Sequence, residues 1–186
     1  MALAIVATPG AEDANSYITP GDADGYVAAM VLNADATKWA KSTQDNKNRA
    51  LATAAQRLDR ERFLGARATD DQALEWPREG VRKPDTYYTS YSSGFPFQRE
   101  NAFFGVDEIP DQVKHAQIEL AVYLNNNPEA IGVTGLAEYK KVKIGSLEVE
   151  PLQYGAIGAD NVPPMFERYL TGLRISGPGN IAIRRS

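Results

Sequence analysis

Ile109-Pro-Asp-Gln-Val-Lys-His-Ala-Gln-Ile-Glu-Leu-Ala-Val-Tyr-Leu-Asn-Asn-Asn127 decides the fold. Pro110 stands where a first-turn proline is tolerated, because the N–H it lacks would have no helical partner there. Asp111 places negative charge at the positive end of the helix dipole. Val113, Ala116, Leu120, Ala121 and Leu124 then fall at helical spacing on one face, with Lys114 and Glu119 away from it. Asn125 to Asn127 and Pro128 stop the element. It is the scaffold on which the core is expected to form.

A second long helix is expected to pack against it. It begins near Thr43, and Gln44 to Arg62 carries Leu51, Ala54, Ala55 and Leu58 as a narrow stripe of mostly small residues, which permits close approach. Its many charges read as a solvated face. Before it, Leu3–Val6 suggests a short strand within an extended N-terminal arm, residues 1–18, and Pro9-Gly10 a turn. Thr19 and Pro20 open a helix with Ala23, Tyr26, Val27, Met30 and Val31 as its buried face. Asp35–Lys41 reads as a brief helical turn that sets Trp39 on the core. After the long helix, Gly65 is the expected stop, Thr69 the cap of a short turn, and Leu74 and Trp76 point inward.

Composition limits the function classes. A chain of 186 residues with 43% hydrophobic and 24% charged residues is one ordinary globular domain. It has no cysteine, so disulfides, thiol nucleophiles and zinc–thiolate sites are excluded. No window is long and apolar enough to span a membrane, and the N-terminus lacks the basic region of a signal peptide. The expected setting is the cytoplasm, or a particle assembled there. A formal net charge of −4 argues weakly against a general nucleic-acid binder. Asp70, Asp71 and Glu75 are explained by a helix dipole better than by catalysis. His115 is the only histidine and has no partner for a metal or a triad. No serine sits in a glycine elbow. No enzyme, cofactor or metal is expected.

Asn15-Ser-Tyr-Ile-Thr, Arg57-Leu-Asp, Phe63-Leu-Gly, Thr69-Asp-Asp-Gln-Ala-Leu-Glu-Trp-Pro-Arg and Ile109-Pro together resemble one family of tailed-bacteriophage proteins. These are the head–tail adaptor (neck or connector) proteins, often catalogued under a DnaT-like single-stranded-DNA-binding label. The similarity runs from about residue 15 to the C-terminus, and Asp71-Gln-Ala-Leu-Glu-Trp-Pro-Arg is its most specific piece. The resemblance implies a helical structural protein of the virion neck. It would form a homo-oligomeric ring, typically dodecameric, that docks beneath the portal protein, meets a downstream tail or neck protein and lets double-stranded DNA pass through its lumen without gripping it. The alternative function is that of the catalogue label, a single-stranded-DNA-binding accessory protein of phage replication.

Three segments remain for contacts. Residues 78–108 form a long loop crowded with Tyr87, Tyr88, Tyr91, Phe95, Phe97, Phe103 and Phe104. Its charges are mixed, Arg82, Lys83 and Arg99 against Glu79, Asp85, Glu100, Asp107 and Glu108, with no basic track, so a packing arm is favoured over a base-stacking platform. Glu138–Pro151 reads as a β-hairpin about Gly145-Ser146, with Val142, Ile144, Leu147 and Val149 apolar and Lys141 and Lys143 facing Glu148 and Glu150. After a helix opened by Pro163-Pro164, with Met165, Phe166, Tyr169, Leu170 and Leu173 apolar, comes a C-terminal arm, residues 174–186. There Ile175, Ile181, Ile183, Arg184 and Arg185 form an added strand for a partner such as the portal. The whole is therefore expected to be mainly α, a small helical bundle with one hairpin, a long aromatic-rich loop and extended N- and C-terminal arms.

Overall fold

A computed structural model describes residues 3–31, 34–84, 102–127, 139–143, 148–151 and 164–175; for 139–143, 148–151, Pro164 and Glu167 it describes the backbone alone. The fold is mainly α. Helices α1 (Pro20–Ala28), α2 (Ala34–Lys41), α3 (Gln44–Leu58), α4 (Asp111–Asn126) and α5 (Pro164–Tyr169) are joined by a two-residue ladder of β1 (Ala66–Arg67) with β2 (Arg78–Glu79) and by a hairpin of β3 (Tyr139–Lys143) with β4 (Glu148–Pro151).

The α3–α4 pair is the centre. Leu51, Ala54, Ala55 and Leu58 on α3, and Val113, Ala116, Leu120, Ala121 and Leu124 on α4, are all buried, so both stripes lie where their spacing put them. The contact also contains a polar pin. The fully buried Gln117 amide donates from Nε2 to Ser16 Oγ (2.8 Å) and Leu51 O (2.9 Å), while its Oε1 accepts from Tyr17 N–H (2.9 Å). Residues 3–18 do not form the expected strand; the chain turns at 9–10 and 12–13 and doubles back, so that Asn15 N–H donates to Val6 O at 3.0 Å. Asn15 replaces a strand partner, accepting from Val6 N–H at 3.0 Å and donating to Ala4 O at 2.9 Å.

Caps set the helix starts. Thr19 and Thr43 accept from the backbone N–H of Asp22 and Asn46. Trp39 is buried, and its Nε1 and Lys47 Nζ both bind Asp24 Oδ1, at 2.8 and 2.9 Å, tying α1, α2 and α3 together. Some expectations fail. α3 ends at Leu58 rather than Arg62, because Asp59 becomes its C-cap and its carboxylate is taken by the Tyr17 hydroxyl. Val31 lies past the end of α1 and is 88% exposed, and Met165 sits at the solvent edge of α5. No helical turn forms at 69–76. There the buried Gln72 side chain accepts from Thr69 N–H and donates to Leu74 O and Pro77 O.

Leu74 and Trp76 do point inward, and the Trp76–Pro77 peptide is cis. Trp76 stands between Phe63 and Phe104, edge-on to both at 5.7 and 5.9 Å. Trp76→Ala should cost about 3–5 kcal/mol, because the cavity left between two rings cannot collapse. Urea unfolding checks it, and an unchanged midpoint would remove Trp76 from the core.

Burial raises the Asp59 carboxyl from its ordinary 3.8 to about 6, although the Tyr17 hydroxyl bond pulls the other way. Between those two values the folded chain binds more protons than the unfolded one, so this group's stabilisation is present at low pH and is lost as pH rises through about 6. A shift of about two units corresponds to about 1–3 kcal/mol after discounting for partial exposure. Unfolding of the wild type and Asp59→Asn at about pH 4 and about pH 7.5 should show the wild type losing that much more than the variant. Parallel behaviour of the two would rule the carboxyl out as the source.

Candidate nucleic-acid interface at the root of the aromatic arm

Three distant stretches of chain meet at residues 62–67, 78–84 with 102–105, and 173–175. After α3 the chain pairs with the residues that follow α5. Phe63 and Arg174 form an antiparallel bridge, with Leu64 N–H donating to Leu173 O (2.9 Å) and Ile175 N–H to Arg62 O (2.7 Å). The arm's two ends pair likewise. Arg82 bridges Phe103, Phe104 N–H donates to Val81 O at 3.0 Å, and Lys83 N–H to Ala102 O at 2.8 Å. Arg78 locks the two pairings together, since its buried guanidinium donates to Leu64 O and Gly65 O, both at 2.8 Å, and to the Glu75 carboxylate at 2.5 Å.

Strand alternation then sorts the side chains. Val81 and Phe104 go inward and are buried. Arg82 and Phe103 go outward, with the guanidinium carbon 5.5 Å from the centre of a ring that is 51% exposed. Lys83 lies 5.3 Å over the Phe104 ring and 3.1 Å from the Glu108 carboxylate. The N–H of Gly105, and then Lys83, hold the Glu108 carboxyl below its ordinary range. Arg60, Arg62 and Arg67 are exposed nearby in sequence, Arg67 with its guanidinium donating to Gln72 O, and Arg174 is paired with Glu61 at 3.0 Å. Segments 60–67, 78–84, 102–105 and 173–175 carry seven basic residues against Glu61 and Glu79, and three of the seven, Arg78, Lys83 and Arg174, are ion-paired with Glu75, Glu108 and Glu61. Guanidinium groups beside an exposed ring are suited to phosphates and unstacked bases.

The whole chain, residues 1–186, matches the family described as "Putative DnaT-like ssDNA binding protein". The chain belongs to that family. No curated protein and no solved structure matches it. Within this family member, the residues that sequence reading singled out are only partly brought together. Tyr87, Tyr88, Tyr91, Phe95 and Phe97 lie outside the described residues, as do Ile144, Leu147, Ile181, Ile183, Arg184 and Arg185. Val142 and Val149 are cross-strand partners in the β3–β4 ladder, which also pairs Lys141 with Glu150 and Lys143 with Glu148. Ile175 is 53% exposed, but its backbone is engaged by Arg62. Arg174 and Ile175 are therefore paired with the chain that follows α3, and residues 176–186 lie outside the described residues.

His115 is half-buried, 4.7 Å from the Tyr26 ring and 5.6 Å from the Tyr169 ring, where it helps join α1, α4 and α5. Among the described residues no group of acids and histidine is placed to hold a metal. Sequence reading missed Arg82 with Phe103. The signal was the alternation Val81-Arg82-Lys83 against Ala102-Phe103-Phe104, which is too short to stand out.

Gly65 holds the junction closed. Its φ is +72°, and a Cβ there would lie 2.2 Å from Glu79 O and 2.7 Å from Val81 Cγ2. Gly65→Ala should therefore cost about 2–4 kcal/mol. Thermal unfolding measures this, and a loss near zero would mean that the 62–67 turn relaxes freely.

Proposed function

We propose that this chain binds single-stranded DNA, as an accessory protein of phage replication, through the arginine-rich junction at the root of the aromatic arm. The observation that carries the reading is the Arg82 guanidinium lying over the exposed Phe103 ring at a site where basic residues outnumber acids. Phe103 supplies a π-face on which a base stacks, and the guanidinium plane extends that surface. Arg60, Arg62 and Arg67 are the candidates for phosphate contacts, which position a strand without reading its sequence. The family description names the same ligand.

Fluorescence anisotropy with a labelled oligothymidine tests it. Three phosphate contacts predict an affinity that falls about 20-fold between about 50 and about 200 mM salt. Phe103→Ala should weaken binding by about 1–3 kcal/mol, the worth of one stacked base, without unfolding a chain in which that ring is half in solvent. Absence of binding at the lower salt would sink the reading.

A second reading rests on the surplus of acid. With a net charge of −4, the chain suits a channel that DNA slides past. A structural subunit of a head–tail adaptor ring, assembled from copies of this chain beneath a portal protein and above a further neck protein, has that requirement, because a lumen gains from not gripping its cargo. Electron microscopy of the purified protein with portal-containing heads decides between a ring at the neck and no ring.

A further inference from the structure

A groove of about 620 Å³ lies on the domain between the N-terminal segment and the starts of α1 and α4. Its floor includes Ile18, Ile109 and Ile118, and its rim carries Asp22, Asp107 and Asp111. That size is within the range of built ligand sites, roughly 300–1,000 Å³. Lys114 engages Asp111 at 3.1 Å. Among the described residues neither Asp22 nor Asp107 has a cationic partner, and both are exposed. The groove thus presents an apolar floor with two acids in excess.

One segment of this chain has the matching chemistry. Residues 176–186 read Ser-Gly-Pro-Gly-Asn-Ile-Ala-Ile-Arg-Arg-Ser, with no acid, two isoleucines at alternate positions and two adjacent arginines near the end. The fold also gives it a direction. Leu173 pairs with Leu64, Arg174 with Phe63 and Ile175 with Arg62, so the antiparallel run aims the following residues back toward Glu61 and the end of α3. At that end the Asp59 carboxylate binds the hydroxyl of Tyr17, and Tyr17 lines the groove. Fully extended, residues 176–181 span roughly 20 Å, which is the reach available to set Ile181 on the floor.

We propose that the C-terminal segment 176–186 docks back into this groove of its own chain, with Ile181 and Ile183 on the apolar floor and Arg184 and Arg185 against Asp22 and Asp107. Gly177-Pro178-Gly179 supplies the bend. The contact is intramolecular, so a tether this short gives a high effective concentration and modest complementarity suffices. It stands apart from the DNA-binding reading, since it uses the opposite charge and other residues.

Hydrogen exchange of the full chain tests it. Amides of residues 181–185 should exchange at least about 10-fold more slowly than in a free peptide of the same sequence, independently of protein concentration. Asp22→Asn with Asp107→Asn should abolish that protection while α3 and α4 keep theirs; the asparagine at 22 preserves a polar partner for Thr19. Arg184→Ala with Arg185→Ala should do the same from the segment's side, and decides the matter if the first variant loosens the helices. Free-peptide exchange in the wild type overturns the proposal. So does protection that survives both variants, and so does protection that grows with concentration, which would place the segment on another copy.

Discussion

The buried Gln117 amide is the constraint on which the rest of the fold depends. A side-chain amide in a dry helix–helix contact is costly unless its groups are satisfied. Here three bonds satisfy it, to Ser16, Tyr17 and Leu51, drawn from the N-terminal segment and from α3. Hydrophobic stripes alone would let α3 and α4 slide by a turn with little loss. An amide that must meet one particular carbonyl and one particular hydroxyl forbids that slide. Removing it would leave the Tyr17 N–H and the Leu51 carbonyl without this partner, and the asymmetry between making and losing such bonds is what fixes the register.

From Gln117 the constraint passes outward through Tyr17. Its backbone is held by Gln117, and its hydroxyl meets the Asp59 carboxylate and accepts from Glu75 N–H at 3.1 Å. Burial, then the charge of Asp59, raises the Tyr17 hydroxyl well above its ordinary value, so it stays protonated and donates to the carboxylate. One ring therefore ties the helix pair to the end of α3 and to the turn that carries Trp76. Trp76 in turn packs on Phe63 and Phe104, one from each pairing that builds the junction. The arginine-rich surface is thus supported by the core through a short chain of buried contacts.

This explains what could be read from the sequence and what could not. The α3 and α4 stripes were legible because a helix repeats locally, and residues three and four apart share a face whatever else happens. Thr19 was legible as a cap, and the region of Thr43 as a helix start, for the same local reason. Gln117 and Arg78 were not, since each is polar in a place where pattern alone demands an apolar side chain, and their partners come from distant segments. The end of α3 was misplaced because its charged residues continue to Arg62, whereas Asp59 is drawn off by Tyr17. The loop's charges looked mixed because acids and bases are interspersed along the chain. Pairing 62–64 with 173–175 and 81–83 with 102–104 sorts them, and nothing local announces such pairings.

Net charge averages over a similar sorting. A value of −4 averages an acid-rimmed groove with a basic junction, and a strand of nucleic acid responds to the local field. The two regions share a boundary at the Lys83–Glu108 pair, where Glu108 lines the groove and Lys83 belongs to the junction. Glu108 is kept ionised there by the Gly105 N–H and by Lys83 itself, so Lys83 is committed to the fold. Arg82, one residue earlier, has its side chain turned to the other face of the same short strand, over Phe103. Strand alternation therefore divides the work between two adjacent cations: one closes the structure, and the other faces outward beside an exposed ring.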